Sequence, residues 1–599
     1  MFSRITFVWL LLSLVASATA MECGAPFTPI YKIQSDQRFS PLQGQQLETE
    51  GVVTRLADFG FWIQTPDHQQ DNNPKTSEGL FIHASKLQAK HLSPGKLVRI
   101  AGRVKEKRQV TQLSDIHNIL SCGSVKLPAP QKIQLPLTPK KSWEKYEGMR
   151  VELLAGNSDN FGTSDNSVAV VSGFNGRGKG YVRYSEVVIS SQLHYQPTQI
   201  AVPESNQAKR LHRSWLQDQL LLAGLANNKA MRIGDQFQRL TGVVHGYAKK
   251  DKKGRVWPRL YIDDHQLIAS KRPTPSVYDE QTELVVASFN LNNYFNGERT
   301  LSGTSFKGSR GAKNTAEFEH QSRGIEQAIL AINADILVLN EIENDGYEAD
   351  SALQFLISQL NQQQDKKLFY RAVHAGYMGT DSIRNAIIYR SNKVATVGKA
   401  SVLNKKNSVL DGQGKALFDD YGNRPVIIQK FRYQNTSLAI ATVHLKSKGS
   451  SCKETKKQRN GSGNCNLKRS RAAMAIAEKM LDFQGSDIQL LLGDFNAYKQ
   501  EQPLQVFHRQ GWRNAADLNT APGFSYRFRG RLGSLDHILY QIRDQSSQGL
   551  KPRQFVSWHI NSTESEKTVS LVEDNKADTD LAPYLRSSDH DPQILTLSF

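Results

Sequence analysis

Apolar residues in the C-terminal half of the chain form short runs, and several of these runs stop at a polar residue. The clearest run is 490–492, which Gly493 ends and which an acid and an amide two positions apart then follow. Such a run predicts a buried strand, and the alternation of side chains places Asp494 and Asn496 on the same side. Loops at strand ends often carry reactive residues. The pattern indicates a functional edge, although a capped strand-to-turn junction would look the same.

Other apolar runs between residues 284 and 599 stop in the same way, and amphipathic stretches separate them. One predicted helix spans about 315–333, with Phe318, Ile325 and Ile329 on one face, and another spans about 467–481. Each run alone has an ordinary structural explanation, but strands that all end in polar residues would converge on one edge of a sheet. The residues at or beside these ends are Asn290, Asn292, Glu341, His444, Asp494, Asn496, Asp536, Asp589 and His590.

The N-terminal half is patterned differently, with short alternating runs that glycines separate. Runs within 51–104 have the spacing of a small barrel, and their order resembles small OB-fold modules, which implies an OB-like β domain over 21–127. Prolines at 128–139 form a stiff linker, and further runs predict a second β-rich domain over 128–275 with one helical interruption around 207–225. Some side chains of the first domain suit single-strand binding, but its aromatic residues could equally form its core. These side chains are Phe61, Trp62, Lys105, Lys107 and Arg108.

The first 20 residues carry one early arginine, a short apolar centre and alanines at 16, 18 and 20. This is the pattern of a secretory signal peptide, with a retained signal anchor as the alternative. No later stretch of the sequence approaches the roughly 18 apolar residues that a membrane-spanning helix needs. We therefore expect export to the periplasm or the extracellular space, without stable membrane association.

Charge adds a candidate partner. The 599 residues, long enough for about three or four domains, include 76 Lys and Arg against 57 Asp and Glu, which gives a net charge of +19. A strongly basic exported protein indicates a polyanionic partner, although such charge also serves solubility or adhesion to anionic envelopes.

The four cysteines favour disulfides, because an even number in an oxidising compartment usually pairs. Of the three connectivities, Cys23–Cys122 with Cys452–Cys465 keeps each bridge within one predicted domain. A zinc site is disfavoured, since no CxxC motif or paired histidine accompanies these cysteines.

The ordered set of polar strand ends resembles the endonuclease/exonuclease/phosphatase superfamily, which includes DNase I. With the leading β modules and the segment 379–381 before the run 387–390, the chain is similar to secreted bacterial nucleases of the ExeM/Xds type. Asn292 stands where many relatives have Asp. The resemblance implies an α+β chain: a four-layer, DNase I-like α/β sandwich over 280–599 after two mainly β domains. The segments that carry the resemblance are 289–292, 340–344, 442–446, 493–497, 535–537 and 588–590.

The resemblance also implies roles for these residues. In-line attack on a phosphodiester places extra charge on the phosphoryl oxygens, so the site needs a hard cation, donors and a base. Asp494 and Asn496 would orient the attacking water, and His444 would donate to the phosphate or the leaving oxygen. His590, oriented by Asp536, would act as general base or phosphate clamp. Mg²⁺, with Mn²⁺ or Ca²⁺ as alternatives, would be held by Asn290, Asn292, Glu341 and Asp589. The candidate substrate contacts are Asp381, Arg424 and Lys446.

The resulting hypothesis is a secreted, metal-dependent nuclease, a hydrolase that cleaves extracellular DNA, or RNA as well, endonucleolytically and with little sequence preference. An exonuclease and a sphingomyelinase-like or phosphatase-like phosphodiesterase are the alternatives among enzymes. The charge of +19 and the lack of an apolar membrane-docking hairpin favour nucleic acid over lipid. A non-catalytic nucleic-acid-binding protein is disfavoured, because none of the expected acids or histidines is missing.

Overall fold

The computed structural model places the described residues in two compact units. The first unit is drawn from Met1–Ile133, Pro139–Glu152 and Thr241–Asp264, and the second from Gln134–Thr138, Leu153–Leu240 and His265–Phe599. The predicted signal peptide, residues 1–20, lies outside the described residues. No helix among the described residues is long and apolar enough to cross a membrane. The structure describes residues 21–137, 140–154, 167–174, 187–225, 231–247, 257–272, 274, 283–300, 303–363, 369–452, 461–543, 549–565 and 582–599.

The first unit contains a closed five-stranded barrel. Its strands are β1 (Gln46–Ala57), β2 (Gly60–Gln64), β3 (Gly79–Ile82), β4 (Lys96–Lys107) and β5 (Val110–Ser124), paired in the order β1-β2-β3-β5-β4 around the barrel. A short helix α1 (Ile30–Gln34) packs against this unit's core. The disulfide Cys23–Cys122 lies in this unit, with Cα atoms 5.6 Å apart.

The aromatic residues of β2 belong to the core. Phe61 and Trp62 are both fully buried, and the Trp62 ring packs against Phe81 and Tyr261, with each pair of ring centroids 5.0 Å apart. Neither ring therefore presents a face to a nucleic acid base. The sequence left two interpretations open for this pair, single-strand binding and core packing, and the structure supports core packing.

The following region is rich in strands, as its alternation predicts. Helix α3 (Asn206–Asp218) ends earlier than the predicted 207–225, because the apolar run at 220–222 pairs with Val187–Ser190 as a fully buried strand. Ser205 caps α3, its hydroxyl accepting from the Ala208 amide at 3.1 Å. The elements are β6 (Gln131–Gln134), β7 (Arg150–Leu154), β8 (Ala169–Phe174), β9 (Val187–Ser190), α2 (Pro197–Ile200), α3 (Asn206–Asp218), β10 (Leu220–Ala223), β11 (Gln236–Tyr247) and β12 (Trp257–Ile268).

The described residues from 283 to 599 form two six-stranded sheets, two two-stranded sheets and four α-helices, which confirms a mixed α+β fold. The strands are β13 (Glu283–Tyr294), β14 (Glu298–Thr300), β15 (Gly303–Ser305), β16 (Ile336–Glu343), β17 (Tyr370–Ala372), β18 (Ile383–Arg390), β19 (Ala395–Leu403), β20 (Val426–Tyr433), β21 (Thr436–His444), β22 (Ile488–Asp494), β23 (Arg513–Asn514), β24 (Tyr526–Phe528), β25 (Arg531–Gly533), β26 (Asp536–Ile542), β27 (Lys551–Ser557) and β28 (Gln593–Ser598). The first six-stranded sheet has the order β17-β18-β16-β13-β28-β27 and the second the order β19-β20-β21-β22-β26-β23. The helices are α4 (Thr315–Ile332), α5 (Ala352–Gln363), α6 (Asn466–Met480) and α7 (Gln502–Arg509).

The alternation of side chains divides the core of these sheets into layers. Leu490 and Leu492 of β22 point into a core shared by both sheets, whereas Leu491 points into a core shared with α6 and α7. On β13, Val286 faces the core between the sheets and Phe289 faces α4 and α5. The helices therefore cover the outer faces of two sheets that face each other, and the run at 490–492 is apolar throughout because both of its faces are buried.

Residues between 187 and 240 contact the C-terminal sheets within the second unit. The backbones of Gln196 and Leu532 pair, with the Gln196 amide 2.7 Å from the Leu532 carbonyl. The Thr198 hydroxyl donates to Glu501 at 2.7 Å, and the Ser534 amide donates to the Gln199 side chain at 3.1 Å. This segment is therefore packed against the elements that carry the candidate site.

Candidate functional site

Strand pairing brings the predicted polar residues to one edge. In the first sheet β13 runs parallel to β16, with Asn290 opposite Asn340, and in the second sheet β21 runs parallel to β22, with His444 opposite Asp494. Because the carboxyl ends of parallel strands lie at the same edge, the polar residues at these ends cluster.

A buried amide connects the two sheets at this edge. The Asn340 side chain donates to Asn385 at 2.8 Å and to the Val443 carbonyl at 3.2 Å, and its oxygen accepts from the Asp494 amide at 3.1 Å. A Cβ atom at Gly493 would lie 2.1 Å from the Val443 carbonyl and 2.8 Å from the Asn340 oxygen. Gly493 is therefore required for this close approach.

Two acids and a histidine meet beside Asn340. His444 Nε2 lies 3.8 Å from Glu341 Oε1 and 3.7 Å from Asp494 Oδ2, and Arg424 Nη1 lies 3.3 Å from the same nitrogen. The backbone of Glu341 has a φ of +61°, which residues other than glycine rarely adopt. Backbone strain of this kind concentrates at functional sites.

Asp494 is held in one orientation by the turn that follows it. Its Oδ1 accepts from the Asn496 amide at 2.7 Å, and its Oδ2 accepts from the Asn496 side chain at 2.9 Å. The Asn290 side chain lies 3.4 Å from the same Oδ2. The predicted placement of Asp494 and Asn496 on one side of the strand end is therefore what the structure contains.

His590 and Asp536 form a second buried pair. His590 Nδ1 lies 2.7 Å from Asp536 Oδ2, which also accepts from the Ser525 hydroxyl at 2.6 Å. His590 Nε2 lies 4.0 Å from Asp589 Oδ1, and the Tyr526 ring lies 4.7 Å from the imidazole. The imidazole is thus oriented at one nitrogen, and its other nitrogen faces the acids.

The two histidines of the site differ in protonation state. Burial, together with Arg424 and His590, lowers the pKa of His444 well below its ordinary value, so this imidazole is neutral. Burial opposes the charged form of His590 as well, but the carboxylates of Asp536 and Asp589 outweigh it and raise the pKa well above the ordinary value. His590 is therefore protonated at neutral pH.

A family comparison bears directly on this cluster. The model of the Endonuclease/Exonuclease/phosphatase family matches residues 287–590, about half of the chain, and these residues include the whole cluster. The chain belongs to this family. The resemblance inferred from the strand-end motifs is confirmed at this level.

Comparison with individual proteins adds the following findings. No curated protein matches the chain. Among solved structures, the chain is similar to a D. rerio TDP2 humanized by 14 mutations, at 12% identity over 53% of this chain and 99% of that chain with a TM-score of 0.33. It is also similar to the human Nocturnin catalytic domain, at 17% identity over 53% and 94% with a TM-score of 0.34. A mannosyl-6-phosphatase of Bacteroides thetaiotaomicron matches at 15% identity over 53% and 100%, with a TM-score of 0.34.

The family is dependent on divalent metal, and the donors of this site fit such an ion. Two groups have ligand atoms that lie within 4.8 Å of one another: Glu341, His444 and Asp494 in one, and Asp494, Asp536 and His590 in the other. Burial and the nearby Asp589 raise the pKa of Glu341, and burial with Asp536 raises the pKa of Asp494. Crowded buried carboxylates with raised pKa values are stabilised by a cation, and carboxylate oxygens are the donors that Mg²⁺ prefers.

The other predicted metal ligands differ in their position. Asn290 is buried at the cluster, but its side-chain oxygen accepts from the Asn292 amide at 3.0 Å. Asp589 lies at the rim beside His590. Asn292 is exposed with a left-handed backbone, and among the described residues its side chain makes no hydrogen bond to the other predicted ligands. The structure also brings Asp494, which we assigned to water orientation, within 4.8 Å of the ligand atoms of Glu341 and His444.

The predicted substrate contacts form a cationic rim. Arg424 Nη2 lies 3.3 Å from Asp381 Oδ2, and Arg310 Nη1 lies 2.9 Å from Asp381 Oδ1. Burial lowers the pKa of Arg424, but a guanidinium keeps its charge at neutral pH. Lys446 follows His444 by two residues and forms no ion pair with any residue that the structure describes. The rim therefore has more cations than acids next to this cluster.

Several residues of the site were not assigned a role from the sequence. Asn385 and Ser525 orient Asn340 and Asp536, and Arg310 belongs to the rim. Asn340 stands within a motif that supports the family resemblance, but its role in joining the sheets depends on β21, about 100 residues away. Only the three-dimensional arrangement identifies such partners.

A buried arginine fixes the segment that follows His444. Arg469 of α6 is fully buried and donates to the carbonyls of Lys446, Asn464 and Ser462 at 3.0, 2.7 and 2.8 Å. The disulfide Cys452–Cys465 closes the same segment, with Cα atoms 5.4 Å apart.

Both disulfides thus have the pairing predicted from the sequence. Nearby, Lys448 donates to Glu501 at 2.6 Å, and burial lowers its pKa to about 8 although Glu501 opposes the shift.

Proposed function

We propose that the protein is a metal-dependent nuclease that hydrolyses phosphodiester bonds of DNA, and of RNA as well. The observation that carries the proposal is the buried group of Glu341, His444, Asp494 and the charged His590 at one strand edge, beside a rim with surplus cations. Phosphodiester hydrolysis needs donors and cations where phosphoryl charge develops, and acids that hold a metal and a water.

Each residue has a part in this reaction. A bound divalent ion would be held by Glu341 and Asp494, with Asn290 and Asp589 near them, and would supply Lewis acidity and a lowered water pKa. Asp494, locked by Asn496, accepts a proton or a hydrogen bond from the attacking water. The protonated His590 binds a phosphate oxygen, so the resting charge favours the clamp role over the general-base role. The neutral His444 would donate a hydrogen bond to a phosphate or leaving oxygen.

Further features of the proposal concern substrate and location. We propose endonucleolytic cleavage with little sequence preference, because backbone contacts position a strand without reading its bases. The charge of +19 suits a polyanion. Two disulfides suit an oxidising compartment, which agrees with secretion.

The remaining parts of the proposal concern domains. We propose an OB-like barrel at 21–127, a β-rich region at 128–275, and a DNase I-like four-layer sandwich over 280–599, as in secreted nucleases of the ExeM/Xds type. The closed five-stranded barrel and the two facing sheets support these assignments. Mg²⁺ is the proposed ion, with Mn²⁺ and Ca²⁺ as alternatives.

The test is a substrate panel with purified full-length protein and Mg²⁺. Covalently closed duplex DNA, circular single strands, RNA and sphingomyelin are incubated separately, with and without EDTA. We expect nicking and then linearisation of the duplex circle, abolished by EDTA. Digestion of linear molecules alone would make the protein an exonuclease. Release of phosphocholine without loss of DNA would identify the lipid-directed alternative.

A further inference from the structure

Tyr421 is a large aromatic side chain that the fold leaves in solvent beside the catalytic cluster. Tyr421 is 80% exposed, the highest value among the exposed large hydrophobic residues of the described chain. Among the described residues, its hydroxyl makes no hydrogen bond. Nothing in the packing of the C-terminal sheets therefore requires an aromatic ring at this position.

The turn that carries Tyr421 is nevertheless fixed to the catalytic strand β21. The Arg424 amide donates to the His444 carbonyl at 3.0 Å, and the Lys446 amide donates to the Asn423 side chain at 2.9 Å. The Tyr421 amide itself donates to Asp419 at 3.2 Å. These bonds fix the backbone that carries the ring, three residues from Arg424, whose side chain contacts His444.

Two lysines flank the ring. Lys446 Nζ lies 5.7 Å from the ring centroid and Lys468 Nζ lies 5.3 Å from it. Lys468 also pairs with Asp419 at 2.7 Å, whereas Lys446 has no acidic partner among the described residues. Partial burial and the charges of Arg424 and Lys468 lower the pKa of Lys446, which shows how closely these cations are grouped.

Gly422 allows this arrangement. A Cβ atom there would lie 2.4 Å from Lys446 Nζ and 2.6 Å from its Cδ, and the backbone φ is +92°. The φ of +92° favours glycine at this turn, and a Cβ atom there would displace the end of the Lys446 side chain from its present place.

We propose that Tyr421 is a stacking platform for an unpaired nucleobase that neighbours the scissile phosphodiester, with Lys446 contacting the phosphate between them. This inference rests on the proposed nuclease function. An exposed ring between cations matches what a single strand offers, a base with a π-face alternating with a phosphate. Bases in a duplex already stack on their neighbours, so the platform favours single-stranded or unpaired substrate.

The experiment compares full-length wild type with Tyr421→Ala, Tyr421→Trp and Phe369→Ala on single-stranded oligonucleotides and on closed duplex DNA. Phe369 is the control, because it is 41% exposed and precedes β17. The next residue, Tyr370, pairs with Arg390 at one end of β18, whereas Ile383 at the other end of β18 pairs with Glu343 near the site. Phe369 is therefore at the end of β18 that is away from the site. Each oligonucleotide carries one abasic nucleotide, placed in turn at every position around a single cleavable phosphodiester.

For wild type, we expect the KM to rise about tenfold when the abasic nucleotide occupies one particular position, and to change little elsewhere. Tyr421→Ala should raise the KM for the intact strand by the same factor, leave kcat and duplex nicking nearly unchanged, and abolish the dependence on the abasic position. Tyr421→Trp should restore the wild-type KM, and Phe369→Ala should behave as wild type.

Two results would overturn the inference while leaving the nuclease function intact. One is a Tyr421→Ala variant whose KM matches wild type on intact single strands. The other is a variant that keeps the wild-type dependence on the abasic position. If wild type cleaved no nucleic acid at all, the proposed function would fail, and this inference with it.

Discussion

Arg469 offers a test of how the active-site edge is held, because it is a buried cation that binds carbonyls. Its three hydrogen bonds end on the segment between His444 and α6, at Lys446, Ser462 and Asn464. Burial lowers the pKa of Arg469 to about 10, so the side chain remains charged at neutral pH. Replacing it with methionine keeps most of the volume and removes every donor.

The cost can be estimated from these bonds. Leaving a buried acceptor without its donor costs about 1–3 kcal/mol. With three carbonyls affected and some admission of water, Arg469→Met should lower the stability of this segment by about 3–5 kcal/mol. A loss of about 3 kcal/mol in local opening free energy accelerates amide exchange by roughly a hundredfold.

Hydrogen exchange followed by mass spectrometry measures this faster amide exchange directly at residues 445–452 and 461–466. The matched control is Arg471→Met, two residues along the same helix, where a partly exposed arginine pairs with Asp411. That pair should contribute no more than about 1 kcal/mol. Equal exchange of the segment in the Arg469 and Arg471 variants would refute the reasoning.

Two further predictions concern charge and cross-links. The variant Asp536→Asn loses the carboxylate that raises the pKa of His590. Activity that needs the protonated imidazole should therefore decline from a lower pH than in wild type. An unchanged alkaline limb of the pH–kcat profile would contradict the clamp role. In the chain-entropy model, Cys452–Cys465, with a separation of 13, contributes about 3 kcal/mol, and Cys23–Cys122, with a separation of 99, about 4.7 kcal/mol. Thermal unfolding of the two double alanine variants should therefore show the larger loss for the second, and free thiols in the purified protein would rule the bridges out.

Local pattern was sufficient for the elements that position the site. The helix predicted at 315–333 is Thr315–Ile332, and the one predicted at 467–481 is Asn466–Met480. Strand ends could be located equally well, because parallel strands buried on both faces have continuous apolar runs, and a polar residue marks the end of each run. The convergence of Glu341, His444 and Asp494 follows from that topology.

What the sequence did not reveal depends on distant contacts. Leu220–Ala223 reads as the end of a helix, and only pairing with Val187–Ser190 makes it a strand. Asn292 was predicted as a ligand, and the structure places it in an exposed position with a left-handed backbone. The Thr198–Glu501 hydrogen bond joins residues about 300 apart, which no local pattern encodes.

The account depends most on Glu341 as an acid that holds the divalent ion. The most direct test is the initial rate of Mg²⁺-dependent nicking of closed duplex DNA by wild type, Glu341→Gln and Glu343→Gln. Glu343 is the matched control, since it lies two residues along β16 and is also half-buried, and burial raises its pKa to about 7. We expect Glu341→Gln to lose most of its nicking rate and to need more Mg²⁺ for what remains, while Glu343→Gln keeps the wild-type rate and Mg²⁺ dependence. Wild-type turnover in Glu341→Gln would contradict the assignment of the active site.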